Sequence, residues 1–363
     1  MKGTVLITGG AGFIGSHTAD LLAKSGYKIK IVDNLSKPVH RLEEWPIYSK
    51  NKGYELIKGD ASVKEDLEKV LKNTDYILHL AAYQDQVEDF STFFRTNTLS
   101  TALIFEIINE KNLPIKKILY ASSQFIYGDG FYKTLKGEIF MPNLREISML
   151  NSELYDILDS EGRETAFVPF KENQRPNPTN SYGISKLASE EFILKVGKRL
   201  QIPSTIARYS IVQGARQSPN NLYSGALRIF VSQALSKKPI TVYEDGLQLR
   251  DFVNVEDVAR ANLLLLEDTK ADYEIFNVGG GNGYRIVDFA EKVKSLVNSP
   301  SEIKIGGYRK SDTRNAISDI DKIKLLGWRP IKTPEDSINE YLNWINKENV
   351  NITSVNLKNK EVF

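Results

Sequence analysis

The polar and apolar positions alternate in two rhythms. Thr4 to Ile7 is a short β-branched run that ends at once in glycines. A helical period follows over about 14–25 and is closed by Gly26, and a second strand runs from Lys28 to Asp33. This strand–turn–helix–strand order is the unit of a parallel sheet. The rhythm continues with strands predicted at 55–57, 76–81 and 117–122 and helices at about 63–72 and 91–111. The run Tyr76–Ala81 is apolar on both faces, as a buried parallel strand requires. The expected fold is therefore α/β, a Rossmann-type doubly wound parallel sheet with helices on both faces.

Between Gly128 and Asn180 the rhythm breaks into a glycine- and proline-rich stretch with an acidic patch near 153–162. It resumes with a helix over about 182–200 and a strand at 204–209. Beyond 212 the pattern is less repetitive, with helices predicted at 222–236, 256–267 and 286–297 and strands at 240–243 and 275–278. This predicts a dinucleotide-binding domain over 1–210 with an insertion at about 129–178. A smaller α/β substrate domain follows over 211–346, then a polar tail over 347–363.

Composition narrows the class. The chain has 363 residues, 41% apolar and 26% charged, with a net charge of +2. That is a globular composition without the basic excess of a nucleic-acid binder. Cysteine is absent and the three histidines (His17, His40, His79) are scattered. A disulfide framework, a thiol nucleophile and a metal centre are not expected. No stretch of 18 apolar residues occurs and the N-terminus has no signal-like segment, so a cytoplasmic protein with no membrane partner is expected.

Two local patterns carry chemistry. Gly9, Gly12 and Gly15 lie between the first strand and the first helix, where a tight turn and a free helix N-terminus can cradle a pyrophosphate. Asp33 ends the second strand, 18 positions after Gly15, and can accept the ribose hydroxyls; a 2′-phosphate would be repelled, and no arginine follows at Asn34, Leu35 or Ser36. NAD is therefore expected over NADP. In Tyr182-Gly183-Ile184-Ser185-Lys186, Tyr182 and Lys186 share one helix face. A free phenol has a pKa of about 10, and the lysine ammonium and a positive nicotinamide are expected to lower it.

These residues occur in order with His79-Leu80-Ala81-Ala82, Ser122-Ser123-Gln124-Phe125-Ile126-Tyr127-Gly128, Asp245-Gly246 through Arg250-Asp251-Phe252-Val253 to Asp257-Val258-Ala259, and Leu325-Leu326-Gly327-Trp328. The set resembles the extended short-chain dehydrogenase/reductases of the nucleotide-sugar epimerase/dehydratase branch, including their G-x-x-G-x-x-G turn. The resemblance spans residues 3 to about 345. It implies that Tyr182 is general base and acid, that Ser123 bonds the reacting sugar oxygen, and that Lys186 holds the nicotinamide ribose and tunes Tyr182. It implies further cofactor contacts from Phe13, Ile14, Asn34, Asp60, Ala61, Leu80, Ala81, Ala82, Asn97, Tyr209 and Ile211. The substrate set implied is Gln84, Ser123, Gln124, Tyr182, Ser210, Arg250 and Arg309, with the two arginines on the diphosphate. His79 reads as structural.

The same resemblance bears on the reaction. Dehydratases of this branch carry acidic residues where this chain has Gln124 and Phe125, neither of which can act as acid or base. A net keto-sugar reductase often uses NADP, which Asp33 disfavours, and is the alternative reading. A 4-epimerase, working by transient hydride transfer through a 4-keto sugar on held NAD, accords best with the residues. A sensor on a retained fold usually loses the tyrosine or lysine that this chain keeps. The 55 positions from Tyr127 to Tyr182, with Arg208–Gly214 and the Gln217–Ala226 segment, look most like the dTDP-L-rhamnose 4-epimerase subgroup. UDP-hexose epimerases carry Asn at the position of Ser210. The insertion could shape the sugar pocket, decorate the surface or make a dimer contact. Relatives pair as homodimers through the helices here at 91–111 and 182–200.

Overall fold

The computed structural model describes residues 2–37, 39–40, 42–84, 89–219, 225–309, 312–350 and 352. Its centre is a seven-stranded sheet of β1 (Thr4–Thr8), β2 (Lys28–Asp33), β3 (Glu55–Lys58), β4 (Tyr76–His79), β5 (Lys117–Ser123), β6 (Ser204–Tyr209) and β7 (Ile275–Val278). The spatial order is β7-β6-β5-β4-β1-β2-β3, and every pairing in it is parallel. The order reverses between β1 and β4, so a crevice opens at the carboxyl ends of these strands, where dinucleotides bind in doubly wound sheets. Val5, Ile7, Ile29, Ile31 and Leu78 fill one face of the sheet, and Leu6, Val32, Ile77, Ile118 and Ile206 the other. Their alternation along each strand is what buries both faces.

The contiguous division expected at 210/211 is crossed twice. β7 pairs with β6 inside the main sheet, and Val258, Ala261 and Leu265 of helix Val255–Glu267 join the core of β1 and β2. A strand rich in apolar residues is stable only where both its faces and an edge are covered, and the β6 edge supplied that place. The second lobe is built from strands Ile240–Val242 and Leu249–Asn254 with helices Ala226–Leu235, Ile286–Val297 and Pro334–Lys347. Phe230, Phe252, Phe289 and Tyr341 centre its core.

The insertion folds as a three-stranded antiparallel sheet, with Phe131–Lys133 between Ile139–Phe140 and Ala166–Val168, and a short helix Ile147–Asn151. Of the expected helix 222–236, the described part is Ala226–Leu235. The expected tail holds structure at its start: Ile352 is buried and its carbonyl accepts from Ser232 Oγ at 2.8 Å. Residues 353–363 lie outside the described residues. Among the described residues no helix is long and apolar enough to cross a membrane.

His79 ends β4 with 1% exposure. Its Nδ1 meets Thr8 Oγ1 at 2.7 Å and its Nε2 meets Ser100 Oγ at 3.0 Å. Burial, with the nearby Lys186 charge, pulls its pKa down to about 3. The folded protein therefore holds His79 neutral while the unfolded chain takes up a proton below about 6.5. Its contribution is fully present above that pH and is lost as pH falls toward 3, at up to about 1.4 kcal/mol per pH unit. His79→Gln is expected to flatten the fall in unfolding free energy between pH 6.5 and 4. An unchanged slope in denaturant titrations would refute this linkage.

Candidate active site

Helix Phe13–Lys24 begins at Gly12 with no side-chain cap, so its first backbone N–H groups face the crevice unclaimed by a side chain. The turn before it is closed tightly. A Cβ on Gly15 would lie 2.5 Å from the Gly9 carbonyl oxygen and 2.7 Å from Gly10 Cα, which no side chain tolerates. Phe13 and Ile14 stand half-buried in its first turn. Asp33, at the end of β2, accepts from Ala11 N at 3.0 Å and Leu35 N at 2.9 Å, which aims its carboxyl across the turn. Burial raises its pKa above the ordinary value, opposed by His40 at 3.7 Å. Asn34 donates to Asp60, and Asp60 Oδ1 accepts from Ser62 N at 2.8 Å, next to buried Ala61. Leu80, Ala81 and Ala82 continue β4 along the same crevice, half-buried to exposed. An uncapped helix N-terminus, a closed glycine turn and a strand-end carboxylate together fit a dinucleotide such as NAD.

The Tyr182–Lys186 pair is set by helix Ser181–Phe192. Asn180 caps it by accepting from Gly183 N at 2.8 Å, which places Tyr182 in the first turn. A Cβ on Gly183 would lie 2.6 Å from the Phe125 carbonyl, so glycine lets this helix press on the turn after β5. That turn, Gln124–Tyr127, starts at Ser123, whose Oγ accepts from Phe125 N at 3.2 Å. Ser123 also hydrogen-bonds Tyr182. Lys186, one turn on, donates to the Ala121 carbonyl at 2.8 Å and lies 5.9 Å from the Tyr182 ring centre. Asn97 sits in a π-helical turn, Phe94–Leu99, of a type often found at functional sites. Its side chain holds Tyr83 N at 2.7 Å and Ser185 Oγ at 2.9 Å, tying the crevice wall to the Tyr182 helix.

The expected lowering of the Tyr182 pKa is not what the protein alone provides. Burial pushes the phenol up to about 12, with the Ser123 hydrogen bond pulling the other way. Burial pulls Lys186 down to about 7, opposed by Glu190. Both groups are out of water, and the cost of desolvating each charge outweighs the opposing help from Ser123 and Glu190.

A cleft of about 1130 Å³, open mouth included, runs from this turn into the second lobe. Gln124, Phe125, Ile211, Tyr243, Arg250 and Arg309 are among its walls. The two arginines, far apart in sequence, thus meet in one place. Arg309 stacks on the Tyr243 ring with 4.6 Å to its centre. Arg250 donates to the carbonyls of Leu249, Thr313 and Arg314 at 2.8–3.1 Å. Its neighbour Asp251 points to the opposite face of the strand, fully buried, and accepts from Ser210 Oγ at 2.6 Å. The two are therefore not a surface ion pair. The buried Gln124 side-chain oxygen has no hydrogen-bond partner among the described residues.

Two of the expected residues turn their side chains elsewhere. Ser210 commits its hydroxyl to Asp251 and Ser318 and is not part of the cleft wall. The Tyr209 ring lies in the main core and its hydroxyl donates to Asn262 at 2.6 Å, so only its backbone, in register with Ser123, approaches the site. Tyr209 ends β6 and Ser210 follows it, so the two side chains leave on opposite sides, one to Asn262 and the other to Asp251. Gln84 is half-buried at the end of a described segment, before residue 85. Other participants were not read from the sequence. Tyr48 donates to the Ala11 carbonyl at 3.1 Å over the glycine turn and lies under Arg216. Glu190, behind Lys186, pairs with Arg208. The i+4 spacing of Lys186 and Glu190 was a usable signal; nothing local marked Tyr48.

Fold and site together define a dinucleotide-binding protein with a tyrosine–serine–lysine group facing a large second cleft. The chain belongs to the NAD dependent epimerase/dehydratase family, whose model matches residues 5–144 and 150–279. It is 30% identical over 350 residues to the dTDP-L-rhamnose 4-epimerase of Burkholderia thailandensis, covering 95% of each chain. Among solved structures it is similar to the UDP-glucose 4-epimerase of Thermotoga maritima with UDP-glucose (27% identity, TM-score 0.77, 96% and 100% coverage). It is also similar to the Thermus thermophilus UDP-glucose 4-epimerase in complex with NAD (25% identity, TM-score 0.75, 94% and 99% coverage).

Proposed function

We propose that this chain is an NAD-dependent nucleotide-sugar 4-epimerase, acting on dTDP-L-rhamnose or a similar sugar nucleotide. The observation that carries the reading is one cleft that begins beside Ser123 and Tyr182 and ends at two arginines. In that arrangement Tyr182 exchanges the proton of the sugar 4-hydroxyl while Ser123 holds the oxygen in line. Lys186 stands behind Tyr182, and because both are buried, a phenolate forms when positive charge enters the cleft. Arg250 and Arg309 hold the diphosphate, a task suited to planar, fixed-charge donors. Bound along the Gly9–Gly15 turn with Asp33 on its ribose, NAD supplies the two-electron acceptor and donor that inversion of C4 through a 4-keto sugar requires. Gln124, buried at the position where dehydratases need an acid, cannot move a proton, which favours epimerisation over elimination. Similarity to the Burkholderia enzyme over nearly the whole of both chains supports the choice of sugar nucleotide.

The active form is a homodimer. Phe90, Phe94, Leu99 and Ile184 are exposed apolar side chains on the two helical segments that would form the contact. Single apolar residues on a surface are ordinary, but four on adjoining helices form a patch of the kind that pairs.

The test is incubation of the purified protein, with no added cofactor, with dTDP-L-rhamnose, UDP-glucose, UDP-galactose and GDP-mannose, with C4 configuration read by NMR. Conversion of one of them to its C4 epimer is expected. If none is converted and NADH is oxidised only when a 4-keto sugar is supplied, the enzyme is a reductase.

A further inference from the structure

The insertion meets the second lobe through buried charge. Arg145 pairs with Glu244 at 2.8 Å, their side chains 5% and 3% exposed. Glu244 also accepts from Arg314 Nη1 at 3.0 Å, and Asp245 receives both Arg314 Nη1 and Nη2 at 2.7 and 2.8 Å. From the insertion side, Asp156 accepts from Arg314 Nε at 2.9 Å and Asp129 from Arg314 N at 2.9 Å. Arg145 further donates to the Asp312 carbonyl. At the exposed end, Tyr308 Oη donates to Asn151 Oδ1 at 2.6 Å. Every one of these bonds grips Tyr308, Asp312 or Arg314, or the turn at 244–245 that Arg314 bonds.

These residues flank those at the phosphate end of the cleft. Arg309 and Thr313 line it, and the Thr313 and Arg314 carbonyls orient Arg250. Desolvating several charges is costly, and a well-packed apolar contact of the same size would hold two lobes at least as firmly. A network of directional bonds has a use that apolar packing lacks: it sets the position of a backbone segment in all directions.

We infer that the insertion is a brace for the substrate clamp, with Arg145 its principal positioning residue. Through Glu244, the Asp312 carbonyl and Arg314, it holds Arg250 and Arg309 at the spacing a nucleoside diphosphate needs. The inference rests on the proposed function only for what the clamp binds. Arg145 does not itself line the cleft but bonds the backbone of Asp312, which does, and it makes no contact with the Tyr182 group, so its loss weakens diphosphate binding and leaves the proton chemistry intact.

The experiment measures binding of dTDP and UDP by calorimetry to the native full chain and to Arg145→Met, Arg145→Lys and Tyr308→Phe, alongside KM and kcat for whichever sugar nucleotide is converted. For Arg145→Met, affinity for the preferred diphosphate and 1/KM are each expected to fall about tenfold, with kcat within about twofold. Arg145→Lys, which keeps the charge but loses the second guanidinium nitrogen that reaches the Tyr155 carbonyl and the rigidity of the fork, is expected to fall between. Tyr308→Phe, at the exposed end, is expected to fall about threefold and serves as the test if Arg145→Met does not fold. Unchanged diphosphate affinity in the folded variants overturns the brace, as does a fall in kcat with KM unchanged. Because binding is read without turnover, a native protein that binds a diphosphate yet epimerises nothing sinks the 4-epimerase reading alone; one that binds neither diphosphate sinks the clamp and the brace together.

Discussion

Tyr182→Phe is expected to lower the rate of C4 inversion by about 10²–10⁴-fold, the range for loss of a positioned acid–base group. The substitution removes one oxygen and keeps the ring. The ring lies edge-on to Phe125, with 6.0 Å between centres, and this packing survives in phenylalanine. The turn at Gly9–Gly15 and Asp33 is untouched, so dinucleotide binding should persist and the fold should be as stable as before. What disappears is the hydroxyl that hydrogen-bonds Ser123; of the described side chains next to it, Gln124 has no proton to exchange and Lys186 donates to the Ala121 carbonyl. The measurement is a comparison of initial rates and of cofactor content in purified native and variant protein. Retention of more than a tenth of the native rate, with cofactor content unchanged, would remove Tyr182 from the role of base. A rate loss accompanied by loss of cofactor would mean that the hydroxyl works through binding.

The second large effect is on stability. Arg208 and Glu190 are 2% and 1% exposed, joined by Nε–Oε1 at 3.0 Å and Nη2–Oε2 at 2.6 Å. Arg208 also donates to Tyr127 Oη at 2.8 Å, and Glu190 accepts from Ser122. The pair ties β6 to the helix of Tyr182 and Lys186, from inside. Arg208→Met leaves the Glu190 carboxylate buried without its counter-ion, which costs about 3–5 kcal/mol. Arg208→Met/Glu190→Met removes both charges and is expected to recover most of that loss, since the cost lies in the stranded charge rather than in the missing attraction. Urea unfolding of native, single and double variants measures it. A double variant no more stable than the single one would show that the pair itself, not desolvation, supplies the stability.

Much of the site was legible in the sequence because its parts are local. The turn at Gly9, Gly12 and Gly15, the carboxylate of Asp33 at a strand end, and Tyr182 with Lys186 on one helix face all follow from spacing within one element or two. The strands of the main sheet were likewise visible, since a buried parallel strand must be apolar along its whole length. Errors arose where a side chain's direction depends on a neighbour far along the chain. Tyr209, the last residue of β6, and Ser210 after it turn to opposite sides, toward Asn262 and Asp251, residues more than forty positions away.

The sequence by itself determined the doubly wound class, the glycine turn, the NAD cofactor and the placing of Tyr182 and Lys186 on one helix face, because each is set by the period and chemistry of short segments. Only the tertiary structure decided that 275–278 completes the first sheet, that Arg250 and Arg309 share one cleft, that Tyr182 and Lys186 are pushed toward neutrality, and that the insertion bonds Tyr308, Asp312 and Arg314. Those outcomes depend on burial and on contacts between distant residues. Neither leaves a period in the chain, since desolvation and long-range pairing belong to the packed molecule rather than to any segment of it.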